Sequence, residues 1–189
     1  MQYLLYRSID ILLSLTGIFI CLPVALIIYT LVLFDTGSPL FFQQRVGKDQ
    51  KLFTLIKFRT MPVNTASVGT HLIDQTKITK LGSVLRKSKL DELPQLLNVL
   101  TGKMSFVGPR PCLPTQNRLV VERSQRGVFK VCPGITGLAQ IHNVDMSTPR
   151  KLARYDALMI KAMNLRLYLG LIIQTILGKG RGDKVCNAE

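Results

Sequence analysis

Two adjacent carboxylates, Asp91 and Glu92, stand in the stretch KSKLDELPQLLNVL, Lys87 to Leu100, of a chain with 25 Lys and Arg against 11 acidic residues. Pro94 constrains how that stretch can fold. A capping box from Ser88 to Asp91, with a helix from Lys89, would put the proline inside the helix at a cost of about 3 kcal/mol. A helix starting at Asp91 puts Pro94 in the first turn, whose N–H groups have no intrahelical partner. Asp91 is then a cap and Glu92 a first-turn acid, which would explain the pair without any chemistry. The same position is where a helix receives a phosphate. There a carboxylate can attack phosphorus and form an acyl phosphate, splitting one displacement into two. An anion attacking a polyanion needs neutralising charge, from a divalent cation and from arginine or lysine. One carboxylate can be nucleophile while its neighbour holds the metal. Lys57, Arg59, Arg86 and Arg110 are the candidate clamps.

The elements that must position these groups are partly legible. PLFFQQRVGKDQKLFTLIKFRTM predicts a β-hairpin, with strand Leu40–Val46, a turn over Gly47–Gln50 and strand Leu52–Met61. Lys57 and Arg59 then share a face about 6.5–7 Å apart. Pro62–Thr76 is polar and is expected to be a mobile loop. Lys77–Lys89 is expected to be helical in part, with Leu81 and Leu85 one turn apart. Leu90, Leu93, Leu97 and Leu100 extend helical spacing to about Leu100, where Thr101-Gly102 stops it. In Gly108-Pro109-Arg110-Pro111 two prolines exclude a helix or central strand and predict a rigid loop around one arginine. Thr115 to Gly127 reads as helix with Arg118, Arg123 and Arg126 outward. Cys132 to Gln140 reads as a turn-rich loop, and Ser147–Leu177 as helices ending in the apolar LRLYLGLIIQTIL, too short to span a bilayer.

Upstream, no charged residue occurs from Ile11 to Phe34, 24 residues. That length suffices for a transmembrane helix and is too long for a cleaved signal peptide. Pro23 lies near its middle, where a proline kinks or breaks a helix. A straight span puts Arg7 opposite the basic bulk of the chain. A re-entrant helix–break–helix returns both ends to one face, as the positive-inside rule prefers, but frees carbonyls within lipid. A buried core helix is the third option.

The net charge of +14 points to an anionic partner: nucleic acid, an anionic membrane or a phosphorylated substrate. Clustered aromatics for base stacking are absent. The four cysteines are far apart, as expected for reduced thiols in or facing the cytosol, and neither they nor the two histidines show zinc spacing. P-loop, GxGxxG-after-strand, GxSxG and DxD motifs are absent too.

The ordered set FQQRVG, KFRTM, LDELPQLLNVL, GKMSFVGPRP and PGITGLAQ, behind an apolar helix with a central proline, resembles the small monotopic bacterial phosphoglycosyl transferases from about Arg7 to Leu177. The resemblance implies transfer of a sugar-1-phosphate from a nucleotide sugar, usually a UDP-sugar, to polyprenol phosphate, with magnesium as cofactor and UMP released. It implies a phosphosugar intermediate on Asp91, metal binding by Glu92 and Asp91, and phosphate binding by Lys57, Arg59, Arg86 and Arg110. Asp156 and Gln95 fall near the site. It also implies a membrane helix broken at Pro23, with the enzyme monotopic on the cytoplasmic face of the bacterial inner membrane. Its partners are nucleotide sugar, polyprenol phosphate and membrane lipid, not nucleic acid, with an oligomer left open.

The chain departs from that pattern in two places. Leu22 replaces the serine before the helix proline, and PGITGLAQIHNVD lacks the tryptophan and arginine that often follow the loop. The expected fold is α+β and mainly helical. A re-entrant membrane helix (1–35) precedes a small catalytic domain (36–178) with a short β-hairpin and interfacial amphipathic helices, then a basic flexible tail (179–189). The rival class is a non-catalytic, membrane-anchored basic protein that binds nucleic acid or acidic partners. It rests on charge alone and leaves the DE pair and GPRP without a role.

Overall fold

The computed structural model describes residues 2–65 and 75–180. The centre of the predicted loop Pro62–Thr76, His71, Cys186 and nearly all of the predicted tail lie outside the described residues. The elements run α1 (Gln2–Thr36), β1 (Leu40–Val46), β2 (Leu52–Phe58), α2 (Lys80–Ser88), α3 (Gln95–Leu100), β3 (Ser105–Val107), α4 (Asn117–Gln125), β4 (Gly134–Thr136), α5 (Leu138–Ile141), α6 (Pro149–Lys161) and α7 (Leu165–Ile176). The fold is therefore mainly helical with two small sheets. β1 and β2 form the expected antiparallel hairpin, with Phe41 opposite Lys57, and β3 and β4 pair in parallel.

Four readings of the sequence change. The second hairpin strand stops at Phe58, not Met61. The expected loop from Cys132 to Gln140 contains β4 and the start of α5. The helix predicted from Asp91 starts only at Gln95: Leu90–Glu92 form a single 3-10 turn, and Pro94 occupies the N-cap position of α3. Finally, Pro23 does not break the membrane helix. α1 runs unbroken for 35 residues, about 52 Å at 1.5 Å per residue.

Both halves of α1 are fastened to the same domain. Near the N-terminus, Arg7 donates to the carbonyl oxygens of Val99 (2.6 Å) and Leu100 (2.7 Å). Buried Asp10 accepts from the Phe106 N–H (2.9 Å), the Ser105 hydroxyl (3.2 Å) and the Tyr168 hydroxyl (2.5 Å). Tyr6 stacks on Tyr168 at 4.8 Å between centroids. Further along, Ile28 and Val32 pack with Phe58 and Leu85, and Leu90 and Leu93 of the dyad turn join them. At the C-terminal end the Thr79 hydroxyl donates to Asp35 at 2.6 Å and accepts the Gly82 N–H, capping α2. The other side of α1 is bare hydrocarbon, with Phe19 82% and Phe34 85% exposed. A continuous apolar face of this kind marks an interaction surface rather than ordinary exposure.

Asn98 joins α3 to the hairpin. Its amide donates to the Thr54 carbonyl (2.8 Å) and accepts the Ile56 N–H (3.1 Å), completing the free edge of β2.

The Asp10 cluster predicts a graded loss of stability in detergent. Asp10→Ala strands three donors and should cost about 3 kcal/mol, Tyr168→Phe about 1 kcal/mol. Equal melting temperatures for Asp10→Ala and wild type would refute the latch.

Candidate functional site

The site begins with the turn that carries the dyad. α2 ends at Ser88, Lys89 takes a left-handed conformation (φ 59°), and the chain makes one 3-10 turn before α3. Leu90 and Leu93 face α1, β2 and α2, so Asp91 and Glu92 between them face the cations of β2, α2 and the GPRP loop. Asp91 is buried, 7% exposed. Burial pushes its carboxyl up to about 6, Glu92 adds to the rise, and Lys57, Arg86 and Arg110 oppose it. Arg110 meets Glu92 directly, Nη2 to Oε1 at 3.2 Å. The half-buried Lys57 ammonium is pushed down to about 8 by burial, with Asp91 the largest opposing influence and Arg86 and Arg45 adding to the fall.

Three of the four predicted clamps therefore converge on Asp91. Arg86 is steered by a bond from Nε to the Thr60 hydroxyl at 2.9 Å. Gly82, one turn earlier, makes this approach possible: a Cβ there would stand 2.3 Å from the Thr60 carbonyl oxygen. Arg59 is placed differently. Its guanidinium lies with Lys57 over the Phe41 ring, the two at 5.4 and 5.3 Å from the centroid. It donates to the Ser38 and Leu40 carbonyl oxygens, which fastens the start of β1. Gln95 is buried at the first position of α3.

Asp156 does not meet the dyad. It forms a buried ion pair with Arg123, at 2.9 Å from Nε and 2.8 Å from Nη2. Burial pushes its carboxyl up, and Arg123 opposes that shift. Arg123, expected outward, is 1% exposed, because α4 packs this face on α6 and on the loop carrying Arg110. Its Nη1 donates to the Arg110 carbonyl oxygen at 2.8 Å. Arg45, in FQQRVG, is a second buried guanidinium. It donates to the Pro111 carbonyl oxygen (3.0 Å) and to the Gln43 side-chain oxygen (2.5 Å). The flanking carbonyls are also occupied: Gly134 N–H bonds to Pro109 and Val46 N–H to Cys112, both at 2.9 Å. The backbone stacking behind this loop excludes side chains. A Cβ on Gly108 would lie 2.5 Å from the Cys132 carbonyl oxygen, and one on Gly137 would lie 2.5 Å from that of Gly108.

Arg45 and Arg123 were thus not singled out from sequence as groups that place Arg110. The available signal was period two in β1: Gln43 and Arg45 fall on the face that carries Phe41 and, across the hairpin, Lys57. For Arg123 the signal was its position one turn from Leu119, which is buried.

Chemically, the arrangement is a desolvated carboxylate beside a second one, under three cations. Two adjacent carboxylates offer the hard oxygen donors that magnesium takes, with phosphate oxygens completing its shell. No group of three His, Cys, Asp or Glu side chains gathers among the described residues.

The family model for bacterial sugar transferases matches residues 1–180. An uncharacterized sugar transferase of Bacillus subtilis, EpsL, is 41% identical over 160 residues, covering 83% of this chain and 79% of that protein. The UDP-glucose:undecaprenyl-phosphate glucose-1-phosphate transferase of Klebsiella pneumoniae is 38% identical over 180 residues, covering 90% of this chain and 39% of that one. The UDP-N-acetylgalactosamine-undecaprenyl-phosphate N-acetylgalactosaminephosphotransferase of Aeromonas hydrophila is 34% identical over 182 residues, covering 90% and 42%. The chain thus spans most of the Bacillus protein and about two-fifths of the other two.

The buried ion pair behind Arg110 can be tested by stability. Arg123→Met alone leaves an unpaired buried carboxylate and should cost about 3–5 kcal/mol. Adding Asp156→Leu removes that charge and should restore more than half of the loss, measured by thermal melting. A double variant no more stable than Arg123→Met would contradict this account.

Proposed function

The chain belongs to the bacterial sugar transferase family, and on that premise we propose that it moves a sugar-1-phosphate from a UDP-sugar to undecaprenyl phosphate through a covalent intermediate on Asp91. The observation that carries this reading is Asp91 itself, a desolvated carboxylate held beside Glu92 under Lys57, Arg86 and Arg110. The donors and the acceptor are those in the names of the Klebsiella and Aeromonas relatives.

In the first step an Asp91 oxygen attacks the sugar-bearing phosphorus. The bridging P–O bond breaks, its electron pair leaves with UMP, and an acyl phosphate bearing the sugar remains. In the second step a phosphate oxygen of the lipid attacks the same phosphorus. The Asp91–phosphorus bond breaks, the carboxylate returns, and the product is the polyprenol diphosphate sugar. Lys57, Arg86 and Arg110 lower the repulsion between the carboxylate and the incoming phosphates, and the low-dielectric pocket strengthens that effect. Arg110 is placed for this by its fixed loop. Glu92, with Asp91 beside it, would hold magnesium, which when bound neutralises phosphate charge during transfer.

The membrane arrangement follows from α1. Its N-terminal half is bonded to α3, β3 and α7, and its C-terminal half to β2 and α2. Both ends therefore stay with the domain, on one face of the bilayer. Positive-inside preference makes that face cytoplasmic, and the exposed sides of α1 and α7 supply apolar surface to lipid. The protein is then monotopic, held by α1 without crossing, and its site faces the lipid surface where the acceptor phosphate lies.

Labelled UDP-sugar with Mg²⁺ and no lipid should leave label on the wild-type chain and none on Asp91→Asn. Release of UMP only when lipid and donor are both present would instead mean direct transfer. A wild-type chain that releases no UMP from any UDP-sugar would leave the basic binding protein as the better account.

The site also sets a pH profile. Asp91 must be ionised and Lys57 protonated, so kcat/KM should fall below about pH 6 and above about pH 8. Lys57→Arg cannot lose its charge near pH 8 and should abolish the alkaline fall while keeping the acid one. An alkaline limb unchanged in Lys57→Arg would rule out Lys57 as its origin.

For topology, a Gln2→Cys reporter in a chain lacking its native cysteines should react with a membrane-impermeant reagent from the cytoplasmic side alone. Periplasmic labelling would overturn the monotopic arrangement.

A further inference from the structure

Phe41 carries two cations on one ring. It stands directly across the hairpin from Lys57, and Arg59 follows two residues after Lys57. The Lys57 ammonium lies 5.3 Å from the ring centroid and the Arg59 guanidinium 5.4 Å. Both are inside the range, about 6 Å, over which the negative face of an aromatic ring attracts a cation. A strand position of this kind is filled equally well by a β-branched aliphatic residue. What the ring adds is that attraction.

The two cations differ in what holds them. Arg59 is fixed by the backbone, Nε to the Ser38 carbonyl at 2.9 Å and Nη2 to the Leu40 carbonyl at 3.1 Å. Lys57 has no such support. Among the described residues its ammonium makes no hydrogen bond and no ion pair, and the ring is its direct contact. The charges around it are divided. Burial is the largest influence against its proton, and Arg86 on α2 and Arg45 on β1 act the same way. Asp91 and Glu92 on the dyad turn act in its favour. Arg59, over the same ring, is a further like charge. An ammonium drawn out of water without an acceptor keeps its proton only through neighbours that attract it.

Asp91 is a variable neighbour. Its carboxylate charge is lost when an oxygen bonds to phosphorus in the first step proposed above, whereas the ring is the same at every step. The ring face attracts the charged ammonium far more than the neutral amine, because the attraction is electrostatic. We infer that Phe41 is a positioning residue of the transfer, whose ring keeps the Lys57 ammonium charged and in place beside Asp91. This rests on the sugar-phosphate transfer proposed above, in which Lys57 must carry its proton. It gives the aromatic residue at the start of the hairpin a part in the chemistry without contact to the substrate.

The test uses the full chain in detergent, with mono-, di- and trifluorinated phenylalanine in place of Phe41. Fluorine drains the negative face of the ring and leaves its shape and apolarity nearly unchanged. Phe41→Leu removes the ring outright. The alkaline limb of kcat/KM, near pH 8 in wild type, should move down with each fluorine. In the trifluorinated chain and in Phe41→Leu it should lie about one pH unit lower. The acid limb should stay where it is, since Lys57 remains protonated there. In a Lys57→Arg background the series should have no effect on the profile. An alkaline limb unmoved by fluorine would overturn the inference. So would a fall in kcat/KM by one factor at every pH, which is what lost packing gives, or a fluorine-dependent limb that survives Lys57→Arg. The Lys57 side-chain resonance, identified by its absence in Lys57→Arg, can be titrated by NMR without any reaction. If wild-type protein releases no UMP from any UDP-sugar, the transfer reading fails and this titration judges the ring. A midpoint that falls along the fluorine series upholds the hold on the ammonium, and a constant midpoint overturns it.

Discussion

Four successive carbonyl oxygens, those of Pro109, Arg110, Pro111 and Cys112, each accept a hydrogen bond from a different residue: Gly134, Arg123, Arg45 and Val46. This is the constraint on which the site depends. The segment has two prolines and so few N–H groups of its own to anchor it. It is fixed instead by its acceptors, held from β4, α4 and β1 at once. Two of the donors are buried guanidiniums, and a buried guanidinium needs polar partners to offset its desolvation. Asp156 serves one and Gln43 the other. A carboxylate outside the dyad and a polar strand face thus act on the same object, the direction in which Arg110 points. The close approach at Gly108 and Gly137 follows from the same packing, since the loop can be held by its backbone only if no side chain stands behind it.

A rigid cation matters because the dyad carries an electrostatic cost. Asp91 is taken out of water and set beside another carboxylate, and both raise its affinity for a proton. Lys57 is burdened the opposite way, losing proton affinity to burial. Each is the largest influence opposing the other's shift, so neither would hold its charge as well alone. Arg86 and Arg110 add charge from two further elements. The result is a carboxylate raised to about 6, above the usual carboxylate range, and held among three cations.

Much of this was legible in sequence, and the failures have physical causes. The hairpin was readable because period-two patterning and the Gly47–Gln50 turn agree. GPRP was readable as a rigid loop because proline leaves the backbone few conformations. The depth of α3 was not. Pro94 fits either the first turn of a helix or the cap before it, and Lys89 decides between them by turning left-handed, which a lysine does not advertise. Arg123 was misread as exposed because the helical pattern alone treats arginine as surface, whereas a buried arginine is defined by a partner 33 positions away on α6. Asp156 was placed near the site, and it pairs with Arg123, which bonds to the Arg110 carbonyl. The burial of Arg45 was hidden for a related reason: alternation tells which residues share a face and not which face turns inward.

The membrane helix shows the same limit from the other side. Pro23 argued for a break, yet a proline forfeits only the hydrogen bond its own nitrogen would make and strains one carbonyl a turn earlier. Breaking the helix outright would free several more groups within hydrocarbon. With Leu22 before it, no hydroxyl is on hand to satisfy them, so the continuous helix seen here leaves fewer backbone groups unpaired. Both ends are tied to one domain instead, by Arg7 and Asp10 at one end and Asp35 at the other. Polar anchors inside the contact, not a bend within the apolar run, hold the N-terminal half of α1 to the domain. The same contact packs Ile28 and Val32 with Leu90 and Leu93, so the apolar helix and the turn that carries Asp91 share one core.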